Sequence, residues 1–294
     1  MNYSLYTGCT VPLRFPGYEI ATMRVAETLG MNISLLKGSS CCGFPILALN
    51  QDSSFALSAI NLCIAEEQGM DVVTLCNSCT SHLAKVNHIM KTDNEVFDRV
   101  SKLIRPAGYE FQGTIEVKHI ARILYEDVGP QKIKEKIEVN LDGFSIAAIY
   151  GCHYLKPSNA FNEFDDPQNP KSLETLIRTT GATAVDYPER ILCCGGPILA
   201  ISEESSSDMS KRVLDGAKAK NPDALTVICP FCNVMYSEYQ STIGEQYGIQ
   251  YDMPVFFLPQ LLALGMGFKP KELRIKRKSE RYRAFFKKLE EGHQ

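Results

Sequence analysis

Apolar and polar positions along this chain switch repeatedly between two periods. Short apolar, β-prone runs lie at Asn2–Thr7, Val72–Leu75, Ile146–Tyr150 and Leu225–Ile228. Between them come stretches with apolar residues at helical spacing, at Tyr18–Leu29, Ser54–Gln68, Leu173–Thr179 and Ser207–Lys218. Strands of four to six residues alternating with amphipathic helices predict βαβ units and parallel sheets, an α/β fold class. The segment from Gln112 to Gly143 is rich in charge and reads as a bridge between two halves. The expected division is a first half with its bridging segment at 1–142, a second half at 143–268, and a basic, helical C-terminal tail at 269–294.

The two halves repeat one another. Cys9, Cys41, Cys42, Cys76 and Cys79 form a C-x31-CC-x33-CxxC pattern, and Cys152, Cys193, Cys194, Cys229 and Cys232 form C-x40-CC-x34-CxxC. The offset between copies is 143 residues at the first cysteine and 152 or 153 at the other four. The difference falls between Cys152 and Cys193, where Asn162–Pro170 (NEFDDPQNP) reads as an inserted polar loop. Local context repeats too: CCGFPILAL at Cys41–Leu49 matches CCGGPILAI at Cys193–Ile201. Cys9 and Cys152 each follow a glycine at the end of an apolar run, and each CxxC ends one (VVTLCNSC, LTVICPFC). The motif cysteines therefore sit at the carboxyl ends of strands or in the loops after them, where open α/β sheets place ligands.

Composition narrows the chemistry. The formal net charge is −3, which gives no electrostatic footprint for nucleic acid. The longest apolar stretch, Val255–Phe268, is interrupted by Pro259 and Gln260 and falls short of the roughly 20 residues of a membrane span. Met1–Thr10 has no basic segment leading into an apolar run, so a cytoplasmic protein is expected. In a reducing compartment eleven cysteines, ten of them in the repeated motifs, favour metal over disulfides. No GxGxxG follows a strand and no P-loop is present; GMGF at Gly265 lacks the third glycine.

Five thiolates per half, including an adjacent pair, exceed the four that close a structural zinc site. Ligand count therefore favours iron–sulfur, with zinc in one site as the alternative. Neighbouring residues on a strand face opposite sides, so Cys41–Cys42 and Cys193–Cys194 require a turn to address one cofactor. Gly43, Gly195 and Gly196 supply the backbone freedom, and Pro45 and Pro197 stiffen the residues after them. Cys63 stands apart, in a helical run with apolar neighbours, and is expected in the core.

The repeated C…CCG…CxxC pattern resembles the cysteine-rich CCG domain family, and the two-motif layout, with GCHYLKPS and PERILCCGGP, resembles the B subunits of heterodisulfide reductases of methanogenic archaea. The resemblance covers Asn2–Phe268 and implies two CCG-type halves. It also implies two noncubane 4Fe-4S clusters, one on Cys9, Cys41, Cys42, Cys76 and Cys79, the other on Cys152, Cys193, Cys194, Cys229 and Cys232. The implied reaction is a step of methanogenesis, reduction of the coenzyme M–coenzyme B mixed disulfide to two thiols. The implied division of labour is one electron and one captured sulfur per cluster. Other members of the family serve different oxidoreductases, acting on quinones or bacterial disulfides, and a zinc-stabilised scaffold without redox chemistry is the reading from a different class.

A disulfide with a sulfonate at one end and phosphate plus carboxylate at the other calls for cations in a cleft between the halves. Candidates are Arg14, His82, His153 and Lys156. The resemblance further implies two electron-delivering partners, a ferredoxin-like iron–sulfur C subunit plus a flavin-containing A subunit, with a hydrogenase or formate dehydrogenase beyond them. The tail from Lys269 to Lys288 holds ten Lys/Arg against Glu272 and Glu280. The tail reads either as a solvated helix or as an arm that docks on an acidic partner, and its apolar edge (Phe285, Phe286, Leu289) favours docking.

Overall fold

The computed structural model describes residues 2–162, 164–276 and 279–292. Of the tail and the inserted loop, Arg277, Lys278, His293, Gln294 and Glu163 lie outside the described residues.

The first half contains β1 (Asn2–Tyr6), α1 (Thr10–Arg14), α2 (Pro16–Thr28), β2 (Asn32–Leu35), α3 (Gln51–Gln68), β3 (Asp71–Thr74), α4 (Asn77–Thr92), α5 (Asn94–Ile104), β4 (Val117–His119), α6 (Ile120–Ile123) and α7 (Pro130–Lys134). The second contains β5 (Ser145–Ile149), α8 (Ser172–Arg178), β6 (Thr183–Val185), α9 (Glu203–Lys218), β7 (Ala224–Val227), α10 (Pro230–Asn233), α11 (Gln240–Tyr247), β8 (Val255–Phe257) and α12 (Leu258–Gly265), followed by α13 (Glu280–Glu291). Each half builds a four-stranded sheet with the same strand order, β2-β1-β3-β4 and β6-β5-β7-β8. Every pairing is parallel. The central strands are covered by helices, which is why Leu5, Val73, Ile146, Ala147, Leu225 and Val227 are fully buried and read as unbroken apolar runs.

The segment 112–143 does run from one half to the other, but it is more than a linker. It supplies β4, the fourth strand of the first sheet, before Val139 and Leu141 reach the carbonyls of Gly265 and Thr180 in the second. The inserted loop has a structural task as well: the Asp165 carboxylate accepts from the backbone amides of Lys171 and Ser172, closing the first turn of α8.

The two halves meet at the motif loops. Tyr18 on α2 is fully buried, stacks on Phe257 with ring centroids 3.9 Å apart, and donates its hydroxyl to the Ile228 carbonyl at 3.0 Å. His119 reaches the same carbonyl at 2.9 Å through Nε2. Its Nδ1 accepts from the Ala121 amide, which places the proton on Nε2 and makes His119 the donor. Asn77, next to Cys76, donates to the Tyr150 carbonyl at 2.7 Å, two residues before Cys152.

Burial pushes the His119 pKa down to about 4. An unfolded chain titrates near 6.5. Between those values the unfolded state binds more protons, so stability is fully present above about pH 6.5 and declines as the pH falls toward 4. The contribution of His119 is on the order of 3 kcal/mol. A His119→Gln variant, whose amide still donates to Ile228, should flatten part of this acid slope in urea-unfolding midpoints taken from pH 7 to 4.5. An unchanged slope would show that His119 is not buried neutral. His82, also lowered to about 4 by burial, accounts for a share that remains in the variant.

The tail departs from expectation. The apolar edge of α13 packs on its own chain: Phe285 and Phe286 are buried, and Phe285 lies 4.8 Å from both Phe256 and Phe144. Lys288 bonds the Asp223 carboxylate and the Gly143 carbonyl. An apolar stripe at helical spacing seeks the nearest core, and here that core is β8 rather than a partner. No helix among the described residues is long and apolar enough to cross a membrane.

Candidate metal centre

Each cysteine follows the carboxyl end of a strand. Cys9 comes three residues after β1 and caps α1; Cys76 follows β3 and caps α4, whose first turn carries Cys79. Cys152 follows β5, and Cys229 follows β7 and caps α10, which carries Cys232. The CxxC pairs thus span the start of a helix, where unpaired backbone amides and the helix dipole favour thiolate.

The adjacent pairs lie in the turns the sequence requires. Gly43 and Gly195 are left-handed, with φ of +87° and +72°, and each leads into a short 3₁₀ turn that contains the following proline. The turns are held from below by serines on the neighbouring helix. Ser54 donates to the Gly43 carbonyl and Ser58 to that of Cys42; in the second half Ser206 donates to Gly195 and Ser210 to Cys194. Both pairs stand four residues apart on α3 and α9, at the 152-residue offset of the CC pairs. The sequence carries this signal, an SxxxS after each CCG, which a comparison of the cysteines alone passes over. Backbone amides reach the thiols themselves, Gly195 to Cys193 and Gly196 to Cys194, both at 3.4 Å.

All five cysteines of the first half line one cavity, with Phe44 and Pro45 on one side and Pro230 and Phe231 of the second half on the other. Its lining holds no carboxylate and no imidazole; beside the hydroxyls of Thr7, Thr10 and Ser78 the donors are thiols, of the soft kind that suits iron–sulfur or zinc. Glycines make room around the sulfurs: a Cβ on Gly8 would stand 3.3 Å from the Cys79 sulfur, and one on Gly151 3.2 Å from that of Cys232. Among the described residues no three Cys, His, Asp or Glu side chains are grouped as single-ion ligands are. In the first half the thiols line a space instead of closing on one point.

Proton sharing traces the proximity of the thiols. In the second half the Cys152 thiol, then that of Cys194 and the Gly195 amide, hold Cys193 well below the usual thiol range. Cys232 and then Cys76 do the same for Cys229, so the two sets touch across the joint at Cys76 and Cys229. In the first half Cys42 is lowered chiefly by Cys79. The neighbouring thiols are raised in turn, Cys79 by Cys42 and then Cys76. The second set also has a buried orphan: the Tyr236 hydroxyl, one helical turn beyond Cys232, is without a hydrogen-bond partner. The donors present, together with this unpaired hydroxyl, fit a sulfur-bridged cluster at each set.

The four candidate substrate contacts fare differently. His82 is corrected: it is 2% exposed, bonded to Ser54 at 2.8 Å and flanked by Phe44 and Phe55. An imidazole this enclosed supports the CCG turn through Ser54 and has no open face for an anion. His153 is half-buried beside the second set, 3.2 Å from the Ser81 hydroxyl and 5.0 Å from the Phe44 ring of the first half, and burial lowers its pKa. Lys156 is exposed beside it, its carbonyl accepting from Ser81. Arg14 lies at the end of α1, paired with Glu238 in a cleft between the halves. Cys63 is buried in α3 as expected, with its thiol raised to about 12, mainly by burial and then by Glu66 and Glu67.

Comparison with known proteins bears on this architecture. The cysteine-rich CCG domain matches residues 3–84 and 146–236, one match per half. The chain is 35% identical over 292 residues to the B subunit of the ferredoxin:CoB-CoM heterodisulfide reductase of Methanosarcina mazei, covering 98% of this chain and 97% of that one. The chain belongs to the cysteine-rich CCG domain family and, within it, to the family of heterodisulfide reductase B subunits. A more distant member is the 8-methylmenaquinol:fumarate reductase membrane anchor subunit of Wolinella succinogenes, 26% identical over 92% of this chain and 94% of that one. The fold itself is shared with a hypothetical protein of Helicobacter pylori solved by crystallography, with a TM-score of 0.73 at 14% identity, over 93% of this chain and 50% of the other.

Proposed function

We propose that this chain is the catalytic B subunit of a heterodisulfide reductase. It would cleave the coenzyme M–coenzyme B disulfide by RS–SR′ + 2 e⁻ + 2 H⁺ → RSH + R′SH. What supports the reading is the gathering of the first five thiols on one cavity, with the second set reaching it where Cys229 meets Cys76. Cys9, Cys41, Cys42, Cys76 and Cys79 would hold one noncubane 4Fe-4S cluster and the second quintet the other. The bound clusters supply single electrons and a soft acceptor for sulfur. The chain's own residues form the nests, exclude water from Cys76 and Cys229 by burial, and keep amide donors on the thiols, which sets the charge each nest tolerates. With ten cysteines on metal, no dithiol is left for exchange chemistry. His153, at the joint beside the second set, would orient a substrate group, and Lys156, exposed beside it, would be the cation.

Electrons would come from a ferredoxin-like C subunit plus a flavin-containing A subunit, with a hydrogenase or formate dehydrogenase behind them, in the cytoplasm. The test is anaerobic protein assayed with reduced viologen and the mixed disulfide, alongside iron and sulfide analysis. About eight iron per chain and release of both thiols are expected. Eight iron without thiol release would replace this reading by a role in another oxidoreductase, the alternative that the fumarate reductase relative favours. About two zinc and no iron would leave a scaffold without redox chemistry.

A further inference from the structure

The two motifs differ at a position on the joint between the halves. The residue after the first cysteine of each CxxC is Asn77 in the first half and Pro230 in the second, 153 residues apart like the cysteines before them. Each is the first residue of its helix, α4 or α10, and each follows a cysteine in extended conformation. The amide at a first helical position has no partner inside the helix and is free to donate elsewhere. A proline there has no amide to give.

Both residues cross the joint. Pro230 lines the cavity of the first thiol set together with Cys76 and Cys79. Asn77 is turned to the second half: its side chain donates to the Tyr150 carbonyl, and a Cβ on Gly151 would lie 3.1 Å from its Nδ2 and 3.2 Å from the Cys232 sulfur. From that place its backbone amide donates to the Cys229 thiol. Nothing returns from Pro230 to the first set. The exchange is one-sided.

Elsewhere the sets are more evenly served. The amides of Gly43 and Phe44 reach Cys41 and Cys42 as those of Gly195 and Gly196 reach Cys193 and Cys194. Two features favour the first set, the Thr10 hydroxyl 3.6 Å from the Cys9 sulfur and the exposure of Cys9 itself. Both act at the solvent edge, where the high dielectric weakens them. The Asn77 amide acts between the buried sulfurs of Cys76 and Cys229, where a hydrogen bond is electrostatically stronger.

We infer that the two thiol sets are unequal in the negative charge they tolerate, and that Asn77, set against Pro230 across the joint, is the residue that favours the second. The inference rests on the cluster reading and deepens it. A donor on a ligand sulfur disperses the charge that an added electron brings, so the loaded second set should have the higher midpoint potential.

The test is a redox titration of iron-loaded protein followed by electron paramagnetic resonance. Cys42→Ser leaves the second set to titrate alone, and Cys194→Ser leaves the first. The second should lead by about tenfold in its reduction equilibrium, ~59 mV for a one-electron couple. Asn77→Pro, made in the Cys42→Ser chain, should abolish most of that lead while the iron content holds. Its backbone accepts the change, because Cys76 at φ −140° and ψ 126° has the conformation that precedes proline, and a first helical position suits one. Asn77→Ala keeps the amide, loses the bond to Tyr150, and should leave the potential in place. Pro230→Ala, made in the Cys194→Ser chain, restores an amide and should raise the first set. In the otherwise wild-type chain, which needs no ligand removed, Asn77→Pro should narrow the gap between the two midpoints. Equal midpoints in the two sets, or the same shift in Asn77→Pro and Asn77→Ala, overturn the inference and leave the function standing. Unequal midpoints without disulfide cleavage by the wild type overturn the function and leave the inequality. Absence of iron overturns both.

Discussion

Cys194→Ser should lower the iron content by about half, from about eight to about four atoms per chain, while the chain stays folded. Cys42→Ser should do the same in the first half, and disulfide cleavage should fall by more than about 100-fold in both. The expectation follows from the equivalence of the two positions. Each is a buried second cysteine of a CC pair, with its carbonyl tied to a serine of the next helix (Ser58 or Ser210) and its thiol against the second cysteine of the CxxC. A serine hydroxyl fills nearly the same volume but is a poor ligand for iron, and left unpaired it costs about 1–3 kcal/mol. Cys63→Ser is the decisive contrast. It is as buried as Cys42 and Cys194, but its charged neighbours are Glu66, Glu67 and Glu110, none of them a motif cysteine. It should lose comparable stability and keep all the iron. Full iron in Cys194→Ser, or iron loss in Cys63→Ser, would break the link between the quintets and the clusters. Iron analysis, circular dichroism and viologen-linked turnover on the same preparations make the comparison.

What could be read from the residues was set by how strongly each segment is buried. Strands β1, β3, β5 and β7 are the inner strands of the sheets, and their apolar runs announce them. The strands that were not legible lie outermost. In β2 only Ile33 of Asn32–Leu35 is buried, and in β6 only Ala184 of Thr183–Val185, so neither has a pattern to detect. β4 is three residues, Val-Lys-His, inside a charged segment, and its Lys118 is paired with Asp127 rather than free in solvent. β8 was hidden for the opposite reason: Val255–Phe257 runs directly into the equally buried α12, and one continuous apolar stretch has no visible boundary. The motif positions were legible because duplication states them twice. The supports of the motifs, Ser54, Ser58, Ser206 and Ser210, repeat as well, but a serine in a helix carries no chemical flag until its carbonyl partner is known. His82 and the tail illustrate the remaining limit: a cation near a motif and an apolar helix edge are both genuine signals, and only packing decides what they face.

Gly43→Ala and Gly195→Ala should each strip iron from one set without touching a ligand. A non-glycine residue in the left-handed region costs about 1–2 kcal/mol. The new methyl group has no room in either turn: it would stand 2.3 Å from the Ser54 carbonyl oxygen in the first half and 2.8 Å from the Ser206 backbone in the second. Both neighbours are helix backbone, which cannot rotate away, so relief comes only from moving the turn. The overlap adds about 1–3 kcal/mol. Together these lower the melting temperature by roughly 5–15 °C, more for Gly43→Ala than for Gly195→Ala. Moving the turn also carries the adjacent thiols, Cys42 or Cys194, out of register with Cys79 or Cys232, so about half the iron should be lost. Gly30→Ala separates the two causes. Gly30 has φ of +69° but nothing within 4 Å of a built Cβ, so it bears the conformational cost alone. It should melt only a few degrees lower and retain full iron. If Gly43→Ala behaves like Gly30→Ala, the serine-backed turn is not what aims the paired cysteines at their cofactor. The melting temperatures and iron contents of these three variants decide the point together.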